Sequence, residues 1–351
     1  NAVEIPIAWI LRPLGIVLLG MAALVWWLSK LTGDRERAGF IASLGLFWFV
    51  FGHLYRVLQG NPKFNDFPAN TILALLAWSA PLLLLGSKWA WKRIGQTGLP
   101  TTFLNATSVF VLILPTFTTL RYGIQSVTYN RDAFGNIQAE IRSLTPSENP
   151  PDIYWIILDA YGRSDYLEYT YGYDNQEFLD FLRKQGFYVA EQSRPNYPQT
   201  ELSLASTINM DYLDAFAVDL QNTDTRNPLT DILQHSTLRD ALGQAGYQFV
   251  ALPSAAMFAQ FRDADMYLSM GISDINEFEG LLLSTTIFAL PIEKLNLNVP
   301  IPSYALHRRT IAYELETLKS VPEMPGPKFV FANILAPHPP FVFDADGNPI
   351  Q

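Results

Sequence analysis

The first third of the chain carries four apolar stretches that are each about as long as a membrane-spanning helix. They cover residues 9–29, 39–58, 71–90 and 101–120 and are rich in Leu, Trp and Phe. A helix needs about 20 apolar residues to cross the hydrocarbon core of a bilayer. A single such stretch is also compatible with a buried soluble helix. Four in succession, joined by short polar connections, predict a transmembrane domain over residues 1–121.

Lys and Arg residues are concentrated in two of the three short connections. They are Lys30, Arg35 and Arg37 between the first two stretches, and Lys88, Lys92 and Arg93 between the last two. Because cytoplasmic loops carry an excess of these residues, both connections are predicted to be cytoplasmic. The pattern therefore predicts a multi-pass protein of the cytoplasmic (inner) membrane with an extracytoplasmic globular domain. It also puts Asn1 outside, so we expect a further span to precede it.

Residues 122–150 have the composition of a linker. They carry Asn, Gly, Ser and Pro, and they lead into Pro150-Pro151, which cannot continue a helix. From residue 151 to residue 351 the pattern changes to short apolar runs that alternate with amphipathic stretches. This alternation predicts an α/β domain with a central, mostly parallel sheet and helices on both faces.

Individual elements of this domain can be predicted from the pattern. Asp152–Leu158 is almost wholly apolar, as expected for a strand that is buried on both faces of a sheet. Tyr247–Leu252 and Phe329–Leu335 are further strand candidates, whereas Asn175–Gln185 and Leu229–Gln244 are helical in pattern.

The segment Leu281–Leu295 is apolar and leaves two interpretations open. It could dock on a membrane surface, or it could pack in the core of the domain. Core packing is favoured, because the apolar positions are not confined to one side of the predicted helix.

Composition and charge exclude several functions. The formal net charge of -9 and the pI near 5.0 leave no basic surface for nucleic acid. The chain has no cysteine, so it has neither disulfides nor thiolate metal ligands nor a cysteine nucleophile. The apolar stretches contain few charges of the kind that mark a transport pathway, which disfavours a transporter.

Asp159 comes directly after the first predicted strand of the domain. Reactive groups in open α/β sheets gather just beyond the carboxyl ends of the strands. A carboxylate at that position is a candidate metal ligand, since burial is costly unless the charge is paired or binds a cation. A cap of the turn through Tyr161 and Gly162 explains Asp159 equally well.

Thr200 lies where a loop that begins at Asn196 turns into a helix of small residues, at the predicted N-cap. By itself such a threonine is usually only a cap. Its hydroxyl is also well placed to attack a phosphate or sulfate held at the N-terminus of the helix.

Three motifs together resemble the alkaline phosphatase/sulfatase superfamily. Pro151–Ala160 is similar to the opening strand of that superfamily with its first metal-binding Asp, and Thr200–Ile208 is similar to its nucleophile helix. The strand Phe329–Leu335, followed by Ala336-Pro337-His338, is similar to a later strand with its His-Pro segment. The motifs occur in the order of the family and span residues 150–351. Several spans before an outward-facing domain also resemble lipoteichoic acid synthases and lipid A phosphoethanolamine transferases.

This resemblance implies a metal-dependent enzyme that acts on membrane lipid headgroups or envelope glycans. A divalent metal ion (Zn, Mn, Mg or Ca) would be bound by Asp159 and by the oxygen of Thr200. Thr200 would act as the nucleophile of a phosphotransferase or phosphohydrolase, and His338 and Asn196 would contact the substrate. A structural role for His338, in ordering the Pro-rich turn, stays open, and His235 and His307 match no motif and are expected to be structural.

The chain departs from the family pattern at two places. Sulfatases need Cys or Ser as the nucleophile, with Pro and Arg after it, where this chain has Thr200, Leu202 and Leu204. Sulfuric ester hydrolysis is therefore only an alternative. The family also completes its metal site with a distal Asp-His pair. Because the sequence reaches Gln351 without one, we expect a truncated domain with a half-complete metal site, or else a non-catalytic member that binds lipid or a partner.

Overall fold

The computed structural model describes residues 7–59, 70–94, 98–125, 148–214, 227–271, 275–295 and 303–350. The described residues form two compact units. The helical unit contains the described residues from 7 to 124 together with those from 275 to 303. The α/β unit contains residues between 125 and 271 and those from 304 onward. A segment from the middle of the predicted globular domain thus belongs to the helical unit.

The N-terminal part of the helical unit consists of helices throughout its described residues. These are α1 (Ile7–Thr32), α2 (Arg35–Phe49), α3 (Phe51–Gln59), α4 (Asn70–Gly86), α5 (Lys88–Ile94) and α6 (Leu99–Gln125). Three stretches are long and apolar enough to cross a membrane, namely Trp9–Thr32, Arg35–Tyr55 and Thr101–Arg121. They correspond to the first, second and fourth predicted spans.

The span predicted over residues 71–90 is interrupted. Helix α4 ends at Gly86, its apolar part is the shorter Ala74–Gly86, and α5 begins at Lys88. The Ser87 hydroxyl accepts a hydrogen bond from the backbone N–H of Ala90 (3.2 Å). A serine that caps the next helix favours a helix start at this point over continuation of the preceding helix.

Helices α1 and α2 form an antiparallel pair. They are joined by Gly33, which has a φ of 68°, and by Asp34, and they pack along each other. The Asp34 carboxylate accepts hydrogen bonds from the backbone N–H groups of Glu36 (2.9 Å) and Arg37 (3.1 Å). The bond from Arg37 is the main cause that lowers the pKa of Asp34. Because the connection is so short, the start of α1 and the end of α2 lie at the same end of the pair.

The α/β unit is built on a parallel four-stranded sheet with the strand order β1-β4-β2-β3. The strands are β1 (Ile153–Leu158), β2 (Gln248–Ala251), β3 (Met266–Tyr267) and β4 (Lys328–Ile334). The three predicted strands are confirmed. Strand β3 has only two residues, which is too short for any periodic pattern to predict.

Helices cover both faces of the sheet, as the sequence predicts. The helices of this unit include α7 (Ser164–Tyr171), α8 (Gln176–Lys184), α9 (Thr200–Asn209), α10 (Asn227–Gln234), α11 (Thr237–Gln244) and α14 (Tyr304–Ser320). Of these, α9, α10, α11 and α14 pack on the sheet. Phe249 and Phe331 point to one face and pack with residues of α9, α10 and α11. Val250 and Val330 point to the other face and pack with Leu318 of α14.

Two expectations about these elements are wrong. Strand β1 lies at an edge of the described sheet and is buried on one face only, so that Tyr154, Ile156 and Leu158 are more than one-third exposed. The stretch Leu229–Gln244 is two helices, because Ser236 caps α11 through a hydrogen bond from the backbone N–H of Arg239 (3.4 Å).

Candidate functional site

Asp159 continues the path of β1 at the carboxyl edge of the sheet. Its backbone N–H still donates to the carbonyl of Ile334 in β4 (2.9 Å), and the next residue, Ala160, turns the chain with a φ of 64°. The alternation of side chains places Asp159 on the same side of the sheet as Trp155 and Ile157, which face α9 and its neighbours. The Asp159 side chain is therefore buried at the edge where parallel strands end.

Thr200 is the first residue of α9. Gln199 is the N-cap, with an extended backbone and no hydrogen bond from its side chain. The predicted N-cap position of Thr200 is therefore wrong by one residue. The Thr200 hydroxyl donates to Asp159 Oδ1 over 3.3 Å instead of capping its own helix. The structure thus brings together the two residues that the sequence predicts as metal ligands, one of which is also the predicted nucleophile.

Buried side chains along one face hold α9 in place. Leu204, Ala205 and Ile208 pack in the main core. Asn209, also buried, donates to the carbonyls of Ala205 (2.8 Å) and Ile232 (2.9 Å) and accepts from the backbone N–H of Thr237 (3.0 Å). The sequence analysis does not predict this role of Asn209. A polar residue at the end of an apolar helix face is the feature that could have indicated it.

The first turn of α9 has a second buried carboxylate beside Thr200. Glu201 accepts a hydrogen bond from the Thr230 hydroxyl of α10 (2.7 Å). This contact ties the start of α9 to the neighbouring helix. The position of the Thr200 hydroxyl is therefore set by tertiary contacts at both ends of the helix.

Asn196 and Tyr197 hold the loop that leads into α9. The Asn196 side chain is exposed, and its Nδ2 donates to the Ser206 hydroxyl (3.1 Å), which in turn donates to the carbonyl of Asp211 (2.6 Å). The Tyr197 hydroxyl accepts from the backbone N–H of Leu213 (2.7 Å). Asn196 thus has a clear structural contact, and its predicted contact with substrate stays a prediction.

The histidines have separate positions. His338 is exposed in the loop after β4, with Nδ1 close to the carbonyl of Pro339, and no contact described for it reaches Asp159 or Thr200. Its predicted role with substrate stays a prediction. His307 contacts the carbonyl of Leu335 through Nε2 (2.9 Å), and His235 contacts Asp231 through Nδ1 (3.1 Å). Both contacts fit the structural role expected for these two residues.

Asp159 and Thr200 offer two adjacent oxygen atoms of the kind that hard divalent cations accept. Within the described ranges, no group of three or more His, Asp or Glu side chains is arranged to hold a metal ion. Zinc takes about four ligands in proteins and magnesium about six. The two residues fit as part of a ligand set, and further ligands have to come from elsewhere.

Asn333 is a further polar group on the same side of the sheet, and sequence reasoning missed it. It is fully buried near the carboxyl end of β4, where it pairs with Ile157 of β1. Its Nδ2 donates to the Ser254 hydroxyl (3.3 Å), whereas its Oδ1 has no hydrogen-bond partner among the described residues. A polar residue within an otherwise apolar strand was the signal that could have found it.

An open groove of about 660 Å³ lies beside the loops that carry the two site residues. It is lined by Arg163, Ser164, Asp165, Gln176, Arg183, Glu191, Gln192 and Arg194. Arg163 comes from the loop after Asp159 and donates to the carbonyl of Ser193 (3.1 Å), in the loop before Thr200. Its guanidinium also pairs with Asp165, and this hydrogen bond lowers the pKa of that carboxyl group.

Comparisons of the chain with protein-family models, with curated proteins and with solved structures found no match. The resemblance to the alkaline phosphatase/sulfatase superfamily therefore stays a prediction from the three sequence motifs.

Proposed function

We propose that this chain is a membrane-anchored enzyme that transfers or hydrolyses phosphoryl groups, with Thr200 as the nucleophile. The observation that supports the proposal is the hydrogen bond from the Thr200 hydroxyl to the buried carboxylate of Asp159. A nucleophilic hydroxyl beside a group that can take its proton is the usual signature of covalent catalysis through oxygen.

The reaction follows from these two groups. Asp159 Oδ1 accepts the hydroxyl proton while Thr200 Oγ1 forms a bond to the phosphorus, and the bond from phosphorus to the leaving oxygen breaks. The leaving oxygen takes up a proton from solvent. Water or an acceptor hydroxyl then forms a bond to the phosphorus, and the bond from phosphorus to Thr200 Oγ1 breaks. Asp159 returns its proton to Thr200 Oγ1, and the proton of the attacking group passes to solvent. Backbone N–H groups in the first turn of α9 stabilise the charge on the phosphoryl oxygens, because the N-terminus of a helix favours anions.

Asp159 and Thr200 are also the groups that would hold a divalent cation (Zn, Mn, Mg or Ca). When bound, such an ion lowers the pKa of a hydroxyl and neutralises charge on the phosphoryl oxygens. The protein's own contribution is the fixed geometry, in which α9 holds the hydroxyl against the carboxylate.

The apolar stretches of the helical unit support the proposal that the substrate is a component of the membrane or envelope. Three of its described stretches are apolar and long enough to span a bilayer. A tethered site meets lipid headgroups or envelope glycans at high effective concentration, because both are confined to the same surface. We assign the site to the extracytoplasmic face of the cytoplasmic membrane, on the distribution of Lys and Arg between the spans.

The test compares wild type with Thr200→Ala and Thr200→Ser in detergent or in lipid vesicles. We expect metal-dependent release of phosphate from glycerophospholipids by wild type, loss with alanine, and partial retention with serine, which keeps a hydroxyl. Mass spectrometry should find a phosphorylated Thr200 peptide in the wild type. Equal activity of wild type and Thr200→Ala, with no adduct on Thr200, would overturn the proposal.

A non-catalytic module that binds lipid or a partner is the second candidate. The observation that favours it is that, within the described ranges, no group of three or more His, Asp or Glu side chains is arranged to hold a metal ion. In that case wild type and Thr200→Ala would both be inactive across several metals, and both would bind vesicles or a partner equally. Sulfuric ester hydrolysis ranks below both, because the residue that would need modification is a threonine.

A further inference from the structure

The helical unit contains a segment that comes from between β3 and α14 in the sequence. It consists of α12 (Glu277–Ser284), α13 (Ala289–Lys294) and their connection, and we call residues 277–295 the interfacial segment. The pattern of its sequence favours packing in the core of the α/β domain. The structure instead packs it on the N-terminal helices, and α12 lies against α1.

The first contact is an ion pair between Arg12 of α1 and Glu279 of α12. Arg12 Nε donates to Glu279 Oε1 (2.6 Å), Nη2 pairs with Oε2, and the hydrogen bonds from Arg12 are the main cause that lowers the pKa of Glu279. Arg12 lies three residues after the start of the span Trp9–Thr32. Charged side chains of spans are tolerated near the helix ends and when paired. The ion pair therefore places α12 at the N-terminal end of α1.

The second contact lies at a break in the second span, at the same end of the α1–α2 pair. Helix α2 ends at Phe49 and α3 begins at Phe51. The backbone N–H of Ile287 donates to the carbonyl of Phe49 (2.7 Å), and the backbone N–H of His53 donates to the carbonyl of Thr285 (2.8 Å). Unpaired backbone groups are very costly at membrane depth. The interfacial segment pairs with backbone groups at this break.

Gly52 permits this close approach. A Cβ atom at this position would lie 2.1 Å from the carbonyl oxygen of Thr286, which is far inside van der Waals contact. Thr286 is buried, and the ring of Phe288 packs edge-on against that of Phe49 (5.3 Å between centroids). Residues 285–288 therefore pack closely against the end of the second span, where Gly52 has no side chain.

The apolar side chains that point away from these contacts are exposed. Leu281 is 44% exposed and Leu295 is 67% exposed. The surfaces of the spans are apolar and exposed in the same way, with Phe110 of α6 at 78%. Exposed apolar surface that is held at the end of membrane spans fits the boundary between headgroups and acyl chains.

We propose that the interfacial segment is a monotopic membrane element, held by the break in the second span, whose Leu281 and Leu295 insert among lipid acyl chains. This proposal does not depend on the phosphotransfer chemistry proposed for Thr200. It gives the chain a second kind of membrane contact besides the spans, made by residues that come from the middle of the predicted globular domain.

Spin labels on single cysteines test the depth of the segment in vesicles of phosphatidylglycerol and phosphatidylethanolamine. The chain has no native cysteine, so Leu281→Cys and Leu295→Cys give clean labels. The controls are Phe110→Cys in a span and Leu315→Cys on α14, which is 49% exposed in the α/β unit. At positions 281 and 295 we expect a several-fold lower collision rate with a water-soluble nickel reagent than at 315, and a ratio of oxygen to nickel collision rates between the ratio at 315 and the ratio at 110. Nickel accessibility equal to that at 315 would overturn the proposal.

Gly52→Ala tests how the segment is held. Gly45 in α2 has nothing within 4 Å of its Cβ direction, so Gly45→Ala is the matched control. We expect Gly52→Ala to raise nickel accessibility at positions 281 and 295 several-fold, while Gly45→Ala leaves it unchanged and the label at 110 does not move. If nickel accessibility at positions 281 and 295 is the same in Gly52→Ala as in wild type, the break does not hold the segment. The depth measurement on the wild-type background stands even if Gly52→Ala fails to fold.

Discussion

The Thr200 hydroxyl donates to Asp159 Oδ1 over 3.3 Å, although 41 residues separate the two positions in the chain. One residue lies just after an edge strand and the other begins a helix. The parallel sheet brings them together because both lie at its carboxyl edge.

Asp159→Asn should lower any phosphate-releasing activity by about 10²-fold to 10⁴-fold, the usual contribution of a general base. The amide can still accept the hydrogen bond from Thr200, but it cannot take up the proton. Steady-state kinetics at saturating substrate measure the effect. Asp240→Asn, which changes an exposed carboxylate on α11, is the control and should leave kcat within about twofold. Equal losses in both variants would count against a specific role of Asp159.

Asn209→Ala should destabilise the α/β unit by about 2–4 kcal/mol, because it leaves the buried N–H of Thr237 and the carbonyl of Ile232 without their partner. Thermal unfolding of the purified protein measures this change. Thr207→Ala, on the exposed side of the same helix, is the control and should cost less than about 1 kcal/mol. If the two variants unfold at the same temperature, Asn209 does not hold α9 as described.

Glu314 makes stability depend on pH. It is fully buried in α14, neither carboxylate oxygen has a hydrogen-bond partner among the described residues, and burial raises its pKa to about 9. In the unfolded chain the pKa of the group is near the ordinary value for glutamate, 4.5. The folded state therefore binds more protons between these values, so stability falls as pH rises from about 4.5 to about 9.

Glu314→Gln should remove this dependence, because glutamine is neutral throughout. The difference in free energy of unfolding between Glu314→Gln and wild type should be small at pH 5. It should grow in favour of the variant toward pH 8, by up to about 4 kcal/mol. Melting temperatures at several pH values measure it, with Glu316→Gln on the exposed side of α14 as the control. A difference in stability between Glu314→Gln and wild type that does not change with pH would show that Glu314 is not protonated in the folded protein.

Arg194→Ala tests the groove beside the site and rests on the proposed function. Arg194 is exposed in the loop before Thr200 and lines the groove together with Arg163 and Arg183. If the groove holds an anionic headgroup, the loss of a charged hydrogen bond should raise KM about tenfold with little change in kcat. Arg262→Ala, an exposed arginine elsewhere in the same unit, should change neither. An unchanged KM in Arg194→Ala would remove the groove from the substrate site.

Local composition and period in the sequence are enough to predict several elements of the fold. The three long apolar stretches follow from runs of Leu, Trp and Phe, and the strands ending at Leu158 and Ile334 follow from short apolar runs. Asp159 and Thr200 were predicted as site residues because their surroundings in the chain, a strand end and a helix start, are local features. A helix or a strand repeats its buried positions every few residues, so the order of apolar and polar residues along the chain is enough to predict it.

Which of these elements meet is set by tertiary contacts. They place β1 at an edge of the described sheet, bring Thr200 against Asp159, and put Asn333 on the same side of the sheet. They also assign residues 277–295 to the helical unit, where Gly52 leaves room for the carbonyl of Thr286. These contacts join residues far apart in the chain. They depend on shape and on hydrogen-bond partners that the order of apolar and polar residues does not encode.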